Sequence, residues 1–227
     1  VDSFIGRMLA NIAASGRTVL PVADALALDP AHSAAYCVMR HDVDRVAARA
    51  VRMARLEQAH GIRSTYYFRC TRDDRFPSPA IEEIARCGHE VGLHYETLSR
   101  CRGNVGNAVE AFGRNLAAFR AIAPCTTVSM HGAPLSRFNN QDLVAHLDLD
   151  ALGLKGDAVA HMRRLNPVYV TDTGGAWNAG ASRNPPAAAG DAVTDVPDLS
   201  RPDVALAFLA GIDRLLYLSC HPERWPA

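Results

Sequence analysis

The sequence predicts an α/β fold with parallel strands, on two observations. First, five β-type apolar runs end on a histidine or an aspartate. Tyr36–Arg40 leads into His41-Asp42-Val43-Asp44, Glu90–Leu93 into His94, and Thr126–Met130 into His131. Pro167–Thr171 leads into Asp172, and Leu215–Cys220 into His221. Second, strand-like and helix-like patterns alternate along the chain, the signature of crossover helices between parallel strands. Parallel strands bring their carboxyl ends to one rim, where α/β enzymes carry their chemistry. The same pattern therefore points to an enzyme with a metal or acid/base site.

Each element has its own warrant. Phe4, Ile5, Met8, Leu9 and Ile12 recur at helical spacing, Gly16 stops that helix, and residues 17–21 read as a short strand. Residues 35–39 read as a buried strand. Val46, Ala50, Met53 and Leu56 share one face of a helix over 45–60 that Gly61 ends. Residues 62–69 are rich in β-branched and aromatic side chains, hence a strand. Ser78-Pro79, with Glu82 and Glu83 close behind, opens a helix over 78–87. Gly88 leads into the strand around Val91. The longest helix spans 104–121, with Val105, Ala108, Val109, Phe112, Leu116 and Phe119 in register. Weaker alternation continues through 126–154. A last helix over 201–213 precedes the strand 214–220. Only 173–202 lacks periodicity, and its place after Asp172 favours an active-site loop.

The length of 227 residues suits one domain, read here as spanning 1–227 with residues 1–34 packing on a barrel as a helix and strand. A 48% hydrophobic fraction is enough for a substantial core. Lys plus Arg and Asp plus Glu balance at 24 each, so charge gives no reason to expect nucleic acid or an anionic membrane as partner. No apolar run is long enough to span a membrane. The six cysteines show no Cys-X-X-Cys spacing and read as reduced, which favours a cytoplasmic setting.

Asp42 and Asp44 lie two apart on an extended chain and so point the same way. Two adjacent carboxylates at the rim of an apolar core need a cation or donors to offset their burial; Arg40 and Arg45 pairing with them on a loop is the plainer alternative. By alternation, His94 shares a face with Gly92, while His89 shares the other with Val91 and Leu93. That makes His94 the better ligand candidate and His89 a hydrogen-bonded structural residue. An aspartate and two histidines with an open position can hold a metal that activates water. His32, His60, His146 and His161 read as surface residues.

Arg40-His41-Asp42-Val43-Asp44, followed by Gly88-His89-Glu90-Val91-Gly92-Leu93-His94, resembles the NodB-homology polysaccharide deacetylases, carbohydrate esterase family 4. Leu216-Tyr217-Leu218-Ser219-Cys220-His221 looks like that family's last motif. Tyr169-Val170-Thr171-Asp172 with Trp177 loosely resembles a motif containing an Asp and a Trp. The endings around Asp172 and His221 are also similar to a bacterial branch met in surface-polysaccharide settings. The resemblance implies a distorted (β/α)7-type barrel of mostly parallel strands and a divalent metal, usually Zn2+. Its implied activity is removal of an N-acyl group from an amino sugar, with a glycan precursor, lipid- or nucleotide-linked, as substrate. It implies Asp42 as general base, Asp44 and His94 as metal ligands, and His221 as the acid that protonates the leaving amine.

Three departures stand out. The family's second histidine, four after the first, is replaced by Leu98; Val43 splits the usual aspartate pair; and the usual arginine motif is replaced by Ser129-Met130-His131-Gly132-Ala133-Pro134. His131, ending a strand on the same rim, is the expected third ligand, with Glu96 as the other choice. Arg40, Arg137 or Arg183 could take over the steadying of the base. His41 could orient a carboxylate beside the metal. Glu96, His41, Asp172, Trp177 and Arg40 stand as alternative ligands or substrate-binding residues. Trp177 and Trp225 read equally as sugar platforms or as packing. Hydrolysis of a non-sugar amide, and metal-free glycan binding without catalysis, remain as other readings.

Overall fold

The computed structural model of the chain describes residues 3–71, 73, 75–172 and 196–225. Helix α1 (Phe4–Ala14) is capped by Ser3, whose side chain accepts a bond from the Gly6 amide, and buries Ile5, Met8, Leu9 and Ile12. Strand β1 (Thr18–Leu20) and the short helix α2 (Val22–Ala25) follow. Then come β2 (Tyr36–Val43), α3 (Ala47–Ala59), β3 (Thr65–Arg69), α4 (Ser78–Arg86) and β4 (Glu90–Tyr95). The chain continues through α5 (Thr97–Arg100), α6 (Val105–Arg120), β5 (Thr127–Met130), β6 (Gly156–Asp157) and β7 (Val168–Thr171). Helix α7 (Pro202–Gly211) and β8 (Leu216–Cys220) close it.

The expected alternation is present, with local differences. β2 runs on through Val43, so Arg40 and Asp42 lie within the strand and not beyond it. Ser78 makes no side-chain cap on α4, which relies on Pro79 in its first turn. α5 and β6 are too short, at four and two residues, to show a periodicity. Most of the loop expected over 173–202, with Trp177 and Arg183, lies outside the described residues; Pro202 already begins α7.

Every strand pairing is parallel, in the order β6-β5-β4-β3-β2-β8-β7. β1 and β3 pair with β2 over Tyr36–Val38 and Arg40–Val43 respectively, so they share one of its edges end to end. The sheet curls into a half-barrel. Five strand spacings separate β8 from β6, about 24 Å on a flat sheet, yet the Tyr217 hydroxyl on β8 donates to the Ala158 carbonyl just past β6 at 2.8 Å. No pairing joins β6 to β7 among the described residues, so the curl is open on that side.

Strand alternation sorts side chains between two environments. Val91, Leu93 and Tyr95 of β4 face the helices, packing in one core with Ile81 and Ile84 of α4 and Phe112 and Leu116 of α6. Val38, Tyr67, Tyr169 and Tyr217 point inward and plug the concave interior. Above this plug the inward positions of β2 become Arg40 and Asp42. Gly92 also points inward, and a Cβ there would lie 2.7 Å from both the Thr127 carbonyl oxygen and the Tyr67 ring. Among the described residues no helix is long and apolar enough to cross a membrane.

The backbone contact at Gly92 cannot yield as a flexible side chain can. Gly92→Ala should destabilise the fold by about 1–3 kcal/mol through overpacking. A urea unfolding curve with an unshifted midpoint would refute that account.

Candidate active site

At the carboxyl end of β2, Arg40 points into the curl and is 5% exposed. Its guanidinium donates to Ser129 Oγ on β5 and lies 3.5 Å from the Tyr169 hydroxyl on β7. It also lies 3.4 Å from Asp42 Oδ2 and over the Tyr217 ring at 5.7 Å. Burial alone would lower its pKa, but Asp42 and the two tyrosines hold it well above the ordinary value. Burial likewise pushes the Asp42 carboxyl up, yet Arg40, then His94, His221 and His131, bring it below the usual range. Asp42 therefore stays ionised inside the protein, with Oδ1 buried and lacking a hydrogen-bond partner.

His94 is the penultimate residue of β4 and is 2% exposed. Its Nδ1–H donates to the Ser129 carbonyl at 3.1 Å, which leaves the Nε2 lone pair facing the aspartates. Burial lowers its pKa despite Asp42 and Asp44, so the ring favours the neutral form a metal requires. Nε2 lies 3.6 Å from Asp44 Oδ1 and 3.9 Å from Asp42 Oδ2. His131, just past β5, places its own Nε2 3.7 Å from the same Asp44 oxygen, its ring perpendicular to that of His94.

Whether these three groups could hold a metal is a matter of spacing. Donors around a tetrahedral zinc at roughly 2.0–2.1 Å are about 3.3–3.4 Å apart. The two nitrogens stand a few tenths of an ångström farther from Asp44 Oδ1, and among the described residues no three ligand-type side chains form a ready-made cage. The donor set nevertheless fits: two imidazoles and a carboxylate whose buried Oδ1 has no hydrogen-bond partner. Leu98, at the position of the absent histidine, is buried in the helix-facing core and points away from these donors.

Glu96 is committed elsewhere. Arg100 Nε approaches its Oε1 at 2.5 Å, while Arg69 and His131 Nδ1 approach its Oε2 at 2.5 and 2.9 Å. Burial would raise its pKa, but these three partners hold it far below the usual range. Glu96 thus steadies the His131 ring and has no oxygen to spare as a ligand.

His221 follows β8 and rests on Asp172, which is fully buried after β7. Asp172 accepts from His221 Nδ1–H at 2.6 Å, from the His221 amide at 2.8 Å and from Trp225 Nε1–H at 2.7 Å. Burial would depress the His221 pKa, but Asp172 and Asp42 raise it. Trp225 stacks on Phe4 at 4.9 Å and so serves as packing. His41 faces the opposite way, its Nε2 2.6 Å from the buried Glu57 on α3, so the carboxylate it meets is neither site aspartate. His89 accepts from the Ser64 amide and donates to the Ala54 carbonyl. Sequence reasoning missed Arg69, Arg100 and Ser129. Arg69 closes β3, so the same strand-end pattern could have flagged it.

These groups border a cavity of about 1140 Å³, open at the carboxyl ends of the strands. No family model, curated protein or solved structure matches the chain. The family resemblance accordingly rests on the sequence motifs alone.

Because Asp172 is a source of the raised His221 pKa, Asp172→Asn should shift the imidazole titration to lower pH. Histidine NMR signals followed against pH would read this, and an unmoved His221 signal would remove Asp172 from the role.

Proposed function

We propose that this chain is a divergent polysaccharide deacetylase of the NodB-homology type, a metal-dependent hydrolase that removes an N-acyl group from an amino sugar in bacterial surface-polysaccharide assembly. One observation carries the reading: Asp44, His94 and His131 converge from three strands while Asp42 and His221 flank the same cavity. Asp44, His94 and His131 would hold the ion, and their mixed nitrogen and oxygen donors suit zinc. When bound, such an ion supplies Lewis acidity to an amide carbonyl and eases ionisation of water.

The remaining chemistry belongs to the chain. Asp42, kept ionised by Arg40, takes the proton of the attacking water. His221, kept protonated to higher pH by Asp172, delivers a proton to the departing amine nitrogen. Asp172 also stops the ring from turning, since it grips both the Nδ1–H and the backbone amide. Ser129 orients two groups at once, accepting from Arg40 through its hydroxyl and from His94 through its carbonyl.

Elemental analysis of protein purified without added metal should find near-stoichiometric zinc or another divalent ion, lost in Asp44→Ala and in His131→Ala. Amine release from N-acetylated sugars should fall by about 10²–10⁴-fold in Asp42→Asn and in His221→Ala, the range expected for a lost general base or acid. Retention of the metal by both ligand variants would overturn the site. A wild type that binds no metal even when supplied with zinc would overturn the activity.

A further inference from the structure

Six arginines line the cavity (Arg40, Arg45, Arg69, Arg100, Arg137 and Arg224) against the three carboxylates of Asp42, Asp44 and Glu96. The chain as a whole is electrically balanced, so this concentration is local. Several of the arginines have structural duties. Arg40 faces Asp42, Arg69 and Arg100 share Glu96, and Arg224 lies 3.8 Å from Asp172. Arg45 and Arg137 differ, being exposed at the mouth with no carboxylate partner among the described residues. Arg45 leaves the end of β2 next to Asp44, and Arg137 sits on the loop after β5, its guanidinium over the Phe138 ring at 4.8 Å. Two guanidiniums at the mouth of one cavity, without a carboxylate partner among the described residues, form a local positive field, and a guanidinium fork matches phosphate oxygens.

We infer that the substrate is a phosphorylated amino sugar whose phosphate is read by Arg45 and Arg137 while its amide enters the Asp42–His221 centre. This rests on the amide-hydrolase reading above and narrows its substrate. Leu135, fully exposed on the same loop, gives a reason to include a lipid-borne form of the phosphate in the test.

Calorimetric titration with N-acetylglucosamine 1-phosphate and with N-acetylglucosamine needs no turnover. The phosphorylated sugar should bind on the order of tenfold tighter, the worth of one good charge-assisted contact. That preference should shrink to about twofold or less in the Arg45→Gln/Arg137→Gln double variant and should weaken with added salt in the wild type. Equal affinity for the two sugars, or a preference that survives both the double substitution and high salt, would overturn the inference. The same sugar carried on a polyprenyl diphosphate in phosphatidylcholine vesicles separates the sources. Tighter binding of the vesicle-borne form than of the soluble sugar phosphate assigns the phosphate to a lipid carrier, equal binding of both forms assigns it to phosphate itself, and binding of neither refutes it. Tight sugar-phosphate binding without amine release would defeat the hydrolase reading and leave the phosphate site standing. Equal amine release from the two sugars, with equal affinity, would do the reverse.

Discussion

A guanidinium taken out of water costs several kcal/mol unless its donors find partners and its charge is answered. Arg40 is in that position, and its partners come from β2, β5, β7 and β8. On a flat sheet β5 would lie about 14 Å from β2, three strand spacings away. The curl of the sheet is therefore what makes a buried Arg40 tolerable. Arg40 in turn is the first of the charges that keep the buried Asp42 carboxylate ionised. Remove the curl and the arginine is stranded; remove the arginine and Asp42 loses the largest of the charges that hold its pKa down.

The back of the same strands carries a second buried charge with a different purpose. Glu57, on α3, accepts hydrogen bonds from Ser64 at 2.5 Å and Tyr66 at 2.7 Å and meets His41 at 2.6 Å. Burial would raise its pKa, but His41, His89 and Ser64 bring it below the usual range. The cluster ties α3 to β2 and β3 and lies on the far side of the sheet from the cavity. Strand alternation alone divides the two sets: Arg40 and Asp42 inward, His41 outward. Neighbouring residues of one motif thus serve unrelated ends, lining the cavity on one face and packing on the other.

Much of the rim is legible in the chain itself. Apolar runs that stop at Asp44, His94, His131, Asp172 and His221 announce strand ends, and the strands indeed lie parallel. The split between His89 and His94 is legible too, because a period of two is a local property. The commitment of Glu96 to Arg69 and Arg100 is not, since a carboxylate after a strand looks the same whether it awaits a metal or a guanidinium. Nor could spacing tell that Trp225 would lie against Phe4, more than two hundred positions away in the chain.

By itself, then, the sequence determined the alternation of the longer strands and helices, their parallel sense, and the opposite faces on which His89 and His94 emerge. Those follow from hydrophobic period and chain direction, which neighbouring residues suffice to set. Only the tertiary structure decided how far the sheet would curl and which rim residues would meet across it. It also placed Leu98 in the core and His131, just past β5, beside Asp44. Such pairings depend on contacts between residues thirty to two hundred positions apart, and no local pattern carries their signature.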